Sequence, residues 1–192
     1  MTRWRPEGEE RLRTAAMELF LTYGYDNVTV AQIAERAGLT RRTFSRYFAD
    51  KRDVLFAGSE QLPVALADAL RQVDPRLGPF PAMLQALADV GALLGERVAD
   101  HAAQRREVIS GSPELQERAQ AKYAAVSDAL GAALVERGAD PSTSTLFADV
   151  GVAIFRRGFE RWTDAPHEAD LASRIREAAG QLRDAATGIT AD

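Results

Sequence analysis

Apolar side chains recur along this chain at helical intervals, with no convincing strand between them. Leu12, Ala15, Ala16, Leu19, Phe20 and Tyr23 share one face and predict a helix ending near Gly24. Thr29, with Gln32 three residues on, has the capping-box pattern of a second helix, which buries Val30, Ile33, Ala34 and Ala37 and stops at Gly38. Thr40 caps a third helix of about two turns, left at Phe48. From Lys51 a longer helix is expected to near Gln72, kinked or interrupted at Pro63. The stretch from Asp74 to Pro81 reads as a loop from its prolines.

Four further stretches follow. Phe80, Leu84, Leu87, Val90, Gly91, Leu94 and Val98 mark one helix, and residues from about Gln104 to Ser110 read as a connector. Ser112-Pro113-Glu114 is a helix start that runs through Leu115, Tyr123, Val126, Leu130 and Leu134 to Gly138. Asp140-Pro141 opens a helix carrying Phe147, Val150, Gly151, Ile154, Phe155, Gly158, Phe159 and Trp162. A last one runs from about His167 through Leu171, Ile175, Ala179 and Leu182. The expectation is an all-α protein of about nine helices. Residues 1–56 form an N-terminal three-helix helix-turn-helix domain, and residues 57–192 form a helical C-terminal domain.

The 46% hydrophobic and 27% charged residues fit a globular chain rather than a disordered one. The absence of cysteine excludes disulfides and thiolate metal sites. The N-terminus has no apolar run long enough for a signal peptide or a membrane span, so a cytoplasmic protein without membrane contact is expected. Net charge is −4, which looks wrong for a nucleic-acid binder until its distribution is considered. Residues 1–56 hold ten Lys/Arg against eight Asp/Glu, and Arg41–Arg52 holds five cations against the single acid Asp50.

The segment 29–48, TVAQIAERAGLTRRTFSRYF, combines these features. Ala34 is small where two helices must cross closely, and Gly38 supplies a left-handed turn. Leu39 plugs that turn into the core, and Thr40 caps a helix able to enter a major groove. Thr29 and Thr40 are caps and also candidate DNA contacts, the Thr40 hydroxyl being able to bond a phosphate. On the second helix Phe44, Tyr47 and Phe48 look inward or toward the first-helix side, while Arg41, Arg42, Thr43, Ser45 and Arg46 are available to DNA. Arginine is the commonest bidentate reader of guanine, and threonine meets the thymine methyl. Lys51, at a helix start, is a candidate phosphate contact.

Thr29, Ile33, Ala34, Ala37, Gly38, Thr43, Tyr47, Phe48, Lys51, Val54 and Leu55 together resemble the tetracycline-repressor (TetR) family over about 50 residues. Two positions depart from the pattern: Arg42 stands where a small residue is usual, and Ser45 where an aromatic is usual. The resemblance implies a transcriptional regulator, usually a repressor, and places Tyr47 among the DNA contacts. It further implies a homodimer on a palindromic double-stranded DNA operator, released by a small-molecule effector bound in the C-terminal domain.

The dimer interface is expected on the last two helices, from Phe147, Val150, Gly151, Ile154, Gly158, Phe159, Leu171, Ile175 and Leu182; the same stripe also suits a subunit's own core. Met83, Leu87, Val90, Tyr123, Val126, Phe155 and Trp162 are candidate effector-pocket lining, with plain core the alternative. Arg3, Arg5, Arg11 and Arg13 read as a tail or as an arm touching phosphates. His101, near a helix end, suits a capping role, and His167 suits the surface. Arg105, Arg106 and Glu107 read as a solvated charge run, with contact to the DNA-binding domain the secondary reading. An enzyme lacks support: the two histidines have no metal-site spacing, and there is no phosphate loop or nucleophile elbow. No cofactor or metal is expected.

Overall fold

The computed structural model describes residues 7–98 and 101–189, and among these it contains ten α-helices and no strand. Arg3 and Arg5 lie outside the described residues. The chain packs as two compact units. Among the described residues, one takes residues 7–60 together with His101–Gln120; the other takes residues 61–98 together with residues 121–189.

In the first unit, α1 (Glu7–Tyr23), α2 (Val30–Arg36), α3 (Arg41–Tyr47) and the short α4 (Asp53–Phe56) close around Leu12, Ala16, Phe20, Ile33, Phe44, Phe48 and Leu55. α1 ends at Gly24, whose φ of 79° suits a residue without Cβ. The expected connector is instead α7 (Ala102–Ser110), and it joins this unit. Val108, and Leu115 at the start of α8 (Pro113–Glu136), are buried in the same core as Phe44. A single cut after residue 56 therefore leaves out a segment that packs with the N-terminal helices.

The helix expected from Lys51 to Gln72 is broken. α4 stops at Ala57, whose ψ of 128° is extended, and Gly58 follows at φ 82°. After a 3₁₀ turn at Ser59–Gln61, α5 (Leu62–Gln72) begins. Pro63 sits in the first turn of α5, where a missing N–H breaks no helical hydrogen bond, so it starts a helix rather than kinking one.

The second unit holds α5, α6 (Pro79–Val98), the rest of α8, α9 (Pro141–Asp164) and α10 (Leu171–Ile189). Asp140 caps α9, accepting from the Ser142 and Thr143 amides at 3.1 and 2.8 Å. Arg137 donates to the Leu70, Val73 and Asp74 carbonyls, satisfying the exposed end of α5. α10 packs on both α9 and α6, with Leu171 and Ile175 fully inside. A Cβ placed at Gly158 would stand 2.9 Å from the Ile175 backbone, so glycine lets α9 and α10 approach.

Candidate nucleic-acid interface

The turn between α2 and α3 is set by local chemistry. Thr29 and Gln32 form the full capping box, with Thr29 N donating to Gln32 Oε1 at 2.8 Å and Gln32 N to Thr29 Oγ1 at 3.3 Å. α2 ends at Ala37, and Gly38 takes φ 65°, a region that β-carbons resist. Leu39 packs on the core, and its amide donates to the Ala34 carbonyl at 2.8 Å. Thr40 then caps α3, accepting from the Thr43 amide at 3.1 Å while its hydroxyl lies 3.0 Å from that of Thr43. The first turn of α3 is thus held by threonines, and Arg41 and Arg42 project from it.

α3 has two faces. Phe44 is 1% exposed and its ring lies tilted against that of Phe48, which follows the helix, with centroids 5.5 Å apart, whereas Arg41, Arg42, Ser45 and Arg46 are exposed. Thr43 and Tyr47 are half-buried between the two faces. The Tyr47 ring lies so close to Gly8 that a Cβ there would meet it at 3.3 Å. Arg46 donates to Tyr47 Oη at 2.8 Å, and its guanidinium lies 4.8 Å from the ring centroid.

Most other cations of this unit are engaged. Arg11 donates to the Ala37 carbonyl beneath Gly38. Arg13 donates to the Val54 carbonyl at 2.7 Å, pairs with Glu9 and lies over Phe48. Neither arginine is a free tail or arm; both clamp the helix-turn-helix from α1. Arg36 pairs with Glu18 at 2.7 Å. Arg52 bridges Asp50 and Glu114 at 2.6 and 3.1 Å. Arg105 donates to the Leu55 carbonyl, so part of the expected solvated run faces the unit's own backbone. His101 Nε2 lies 3.2 Å from Glu10 at the start of α7. Arg41 and Arg42 have no partner among the described residues.

Lys51 departs from expectation. Its ammonium points inward, donating to the Tyr25 and Val28 carbonyls at 2.8 and 3.1 Å, and lies 4.1 Å from the Tyr25 ring centroid. In this state it fastens the segment leading into α2 rather than standing ready for a phosphate. Burial, then the charges of Glu114 and Asp50, push the Tyr25 phenol well above its ordinary range. Burial also pushes the Asp50 carboxyl up, but Arg52 and the Asp53 amide outweigh it and hold that carboxyl below the ordinary aspartate value.

In the second unit, Met83, Leu87, Val90, Val126, Phe155 and Trp162 are buried and pack as core, while Tyr123 is half-buried with Lys122 and Arg156 at its ring. A cleft of about 410 Å³ lies instead between α8 and α9, lined by Ser127, Asp128, Gly131, Ser144 and Asp149 among others. Of the expected dimer residues, Gly151, Ile154, Gly158, Leu171 and Ile175 lie inside their own subunit; a Cβ at Gly151 would meet Met83 Sδ at 2.6 Å. Phe147, Val150 and Phe159 are half-buried, and Leu182 is exposed.

A compact helical unit that presents an open cationic helix behind a glycine turn is the reading head of a DNA-binding protein. Residues 12–57 match the family model of bacterial regulatory proteins, tetR family, and residues 77–187 match the MftR C-terminal domain. The chain belongs to the TetR family and is a DNA-binding transcriptional regulator, with a C-terminal half of the MftR type. It is 27% identical over 165 residues to a Mycobacterium tuberculosis protein named as the mycofactocin biosynthesis transcriptional regulator MftR, covering 83% of this chain and 82% of that one. Over 74 residues it is 38% identical to the HTH-type transcriptional regulator TcmR of Streptomyces glaucescens, 38% of this chain and 33% of that one. Its fold is similar to that of FadR from Bacillus subtilis, solved with stearoyl-CoA, at TM-score 0.60 and 17% identity, covering 90% and 96% of the two chains. Among the described residues no helix is long and apolar enough to cross a membrane.

Proposed function

We propose that this regulator is a homodimeric repressor that seats one α3 in each half of a palindromic operator and leaves the DNA when a small molecule binds its second unit. It acts in the cytoplasm, where the chromosome lies. The observation that carries this reading is α3 itself, whose first turn offers Arg41 and Arg42 to solvent without internal partners. Thr29, Thr40, Thr43, Ser45, Arg46 and Tyr47 are the further DNA contacts of this reading. Residues 1–56, with α7 packed on them, supply the head, and the remainder of residues 57–192 supplies effector binding and dimerisation.

The dimer surface that burial supports is the outward side of α9 and α10. Leu146, Val150 and Ala153 follow helical spacing on α9, with Leu146 61% exposed, and Leu182 is 43% exposed on α10. A two-fold axis there makes a four-helix contact from one repeated surface. The effector opens the closed apolar core around Met83, Leu87 and Phe155. Long-chain acyl-CoA, the class bound by the Bacillus subtilis neighbour, is the first molecule to try.

The test is fluorescence anisotropy on DNA upstream of the chain's own gene and of mycofactocin-type biosynthesis genes. Specific binding is expected, with log affinity falling by roughly 0.9 per phosphate contact for each unit of log salt. Equal affinity for random and upstream DNA at every salt concentration refutes it. Sedimentation tests the dimer: Ala153→Arg is expected to yield a folded monomer that binds the operator poorly.

A further inference from the structure

The four exposed residues of α3 do not stand equivalently on the helix. Successive residues turn by about 100°, so Arg42, two positions before the buried Phe44, lies about 160° around the helix from it. Arg46, two positions after Phe44, lies about as far round on the other side. Arg41, three positions before Phe44, is only about 60° from it and stands at the rim of the buried face. Arg46 is already engaged, since Tyr47 holds its guanidinium by a hydrogen bond and by the ring, and Tyr47 is itself packed on Gly8. Ser45, exposed three positions along the helix from Arg42, is small and leaves its long side chain room.

We propose that Arg42 is the specificity-determining residue of this head, pairing bidentately with O6 and N7 of a guanine in each half-site, while Arg41 anchors a backbone phosphate without reading sequence. This assignment rests on the operator-binding reading above. Its physical basis is that a planar guanidinium matches the guanine edge in the major groove, whereas a phosphate contact holds register and carries no sequence information. A cation at the outermost line of the inserted helix meets base edges; one at its flank meets the strand beside the groove.

The experiment selects binders from random double-stranded DNA with the full chain, for wild type, Arg42→Ala, Arg42→Lys and Arg41→Ala. Wild type is expected to enrich a palindrome with one fixed guanine per half-site. Arg42→Ala should lose that preference by about 5- to 150-fold per half-site, and Arg42→Lys should retain part of it. Arg41→Ala should keep the same motif, bind all sequences more weakly and lower the salt slope by roughly 0.9 per half-site. Replacing the fixed guanine by 7-deazaguanine should weaken wild type and leave Arg42→Ala unchanged. Both substituted side chains are exposed in the free protein, so thermal melting is expected to match wild type. A motif unchanged by Arg42→Ala, or a guanine preference lost with Arg41→Ala instead, overturns the assignment while leaving operator binding intact. A wild-type protein that enriches no sequence overturns operator reading and the assignment together.

Discussion

Replacing Gly158 by alanine measures how tightly α9 and α10 are pressed together. Alanine in a helix interior is favoured over glycine by about 1 kcal/mol, so propensity alone predicts a more stable protein. The new Cβ would stand 2.9 Å from Cα, N and Cγ1 of Ile175, whereas carbon contacts are optimal at about 3.5–4.0 Å. Two of those atoms are backbone and cannot rotate away, so the helices must separate. Overpacking of that kind costs about 1–3 kcal/mol. With backbone opposing the methyl, the upper part of that range applies, and the net loss is about 1–2 kcal/mol. Gly131→Ala in α8 is the control, because its Cβ would meet Ala148 Cβ at 3.8 Å, an ordinary contact. That variant is expected to gain up to about 1 kcal/mol. Urea unfolding followed by circular dichroism, at several protein concentrations to separate any dimer contribution, gives both numbers. A Gly158→Ala protein as stable as wild type, or a Gly131→Ala protein equally weakened, refutes the claimed close crossing.

Lys51→Met removes the ammonium that ties the Tyr25 and Val28 carbonyls, and is expected to lose about 1.5–3 kcal/mol of stability with weaker DNA binding; unchanged melting would instead return Lys51 to a DNA-contact role alone. Thr40→Ala removes the cap of α3 and should cost about 1 kcal/mol, visible in melting and in operator affinity, whereas Thr40→Ser should restore most of it. The Asp50, Asp140 and Asp170 carboxyls are held below the ordinary aspartate value: Asp140 first by its bond with Thr143, Asp170 first by the Ser173 amide, and Asp50 by Arg52 against the upward push of burial. A carboxyl depressed on folding stabilises above its unfolded pKa and stops doing so as pH falls through its folded one. The melting temperature should therefore hold from neutral pH to about 5 and decline below about 4. Asp140→Asn should flatten part of that acid decline, and an acid limb identical to wild type would discount its depressed carboxyl.

The helix-turn-helix was legible in the chain because everything that makes it is local. Two threonine caps, a glycine at positive φ and apolar residues at helical spacing lie within twenty residues, and each works through neighbours a few positions away. Which partner a face or a long side chain meets was not legible. Periodicity marks Gly151, Ile154 and Gly158 as buried but carries nothing about what buries them, and here α6 and α10 of the same subunit do so. Arg11, Arg13 and Lys51 read as charges for solvent or phosphate. Only the fold brings the Ala37, Val54 and Tyr25 carbonyls within their reach, across 26 to 41 residues of sequence. α7 read as a connector because its few apolar residues gain their meaning from a core assembled elsewhere in the chain. Local hydrogen bonds and backbone conformation are written in short stretches of sequence, whereas burial against a distant segment is decided when the chain folds back on itself.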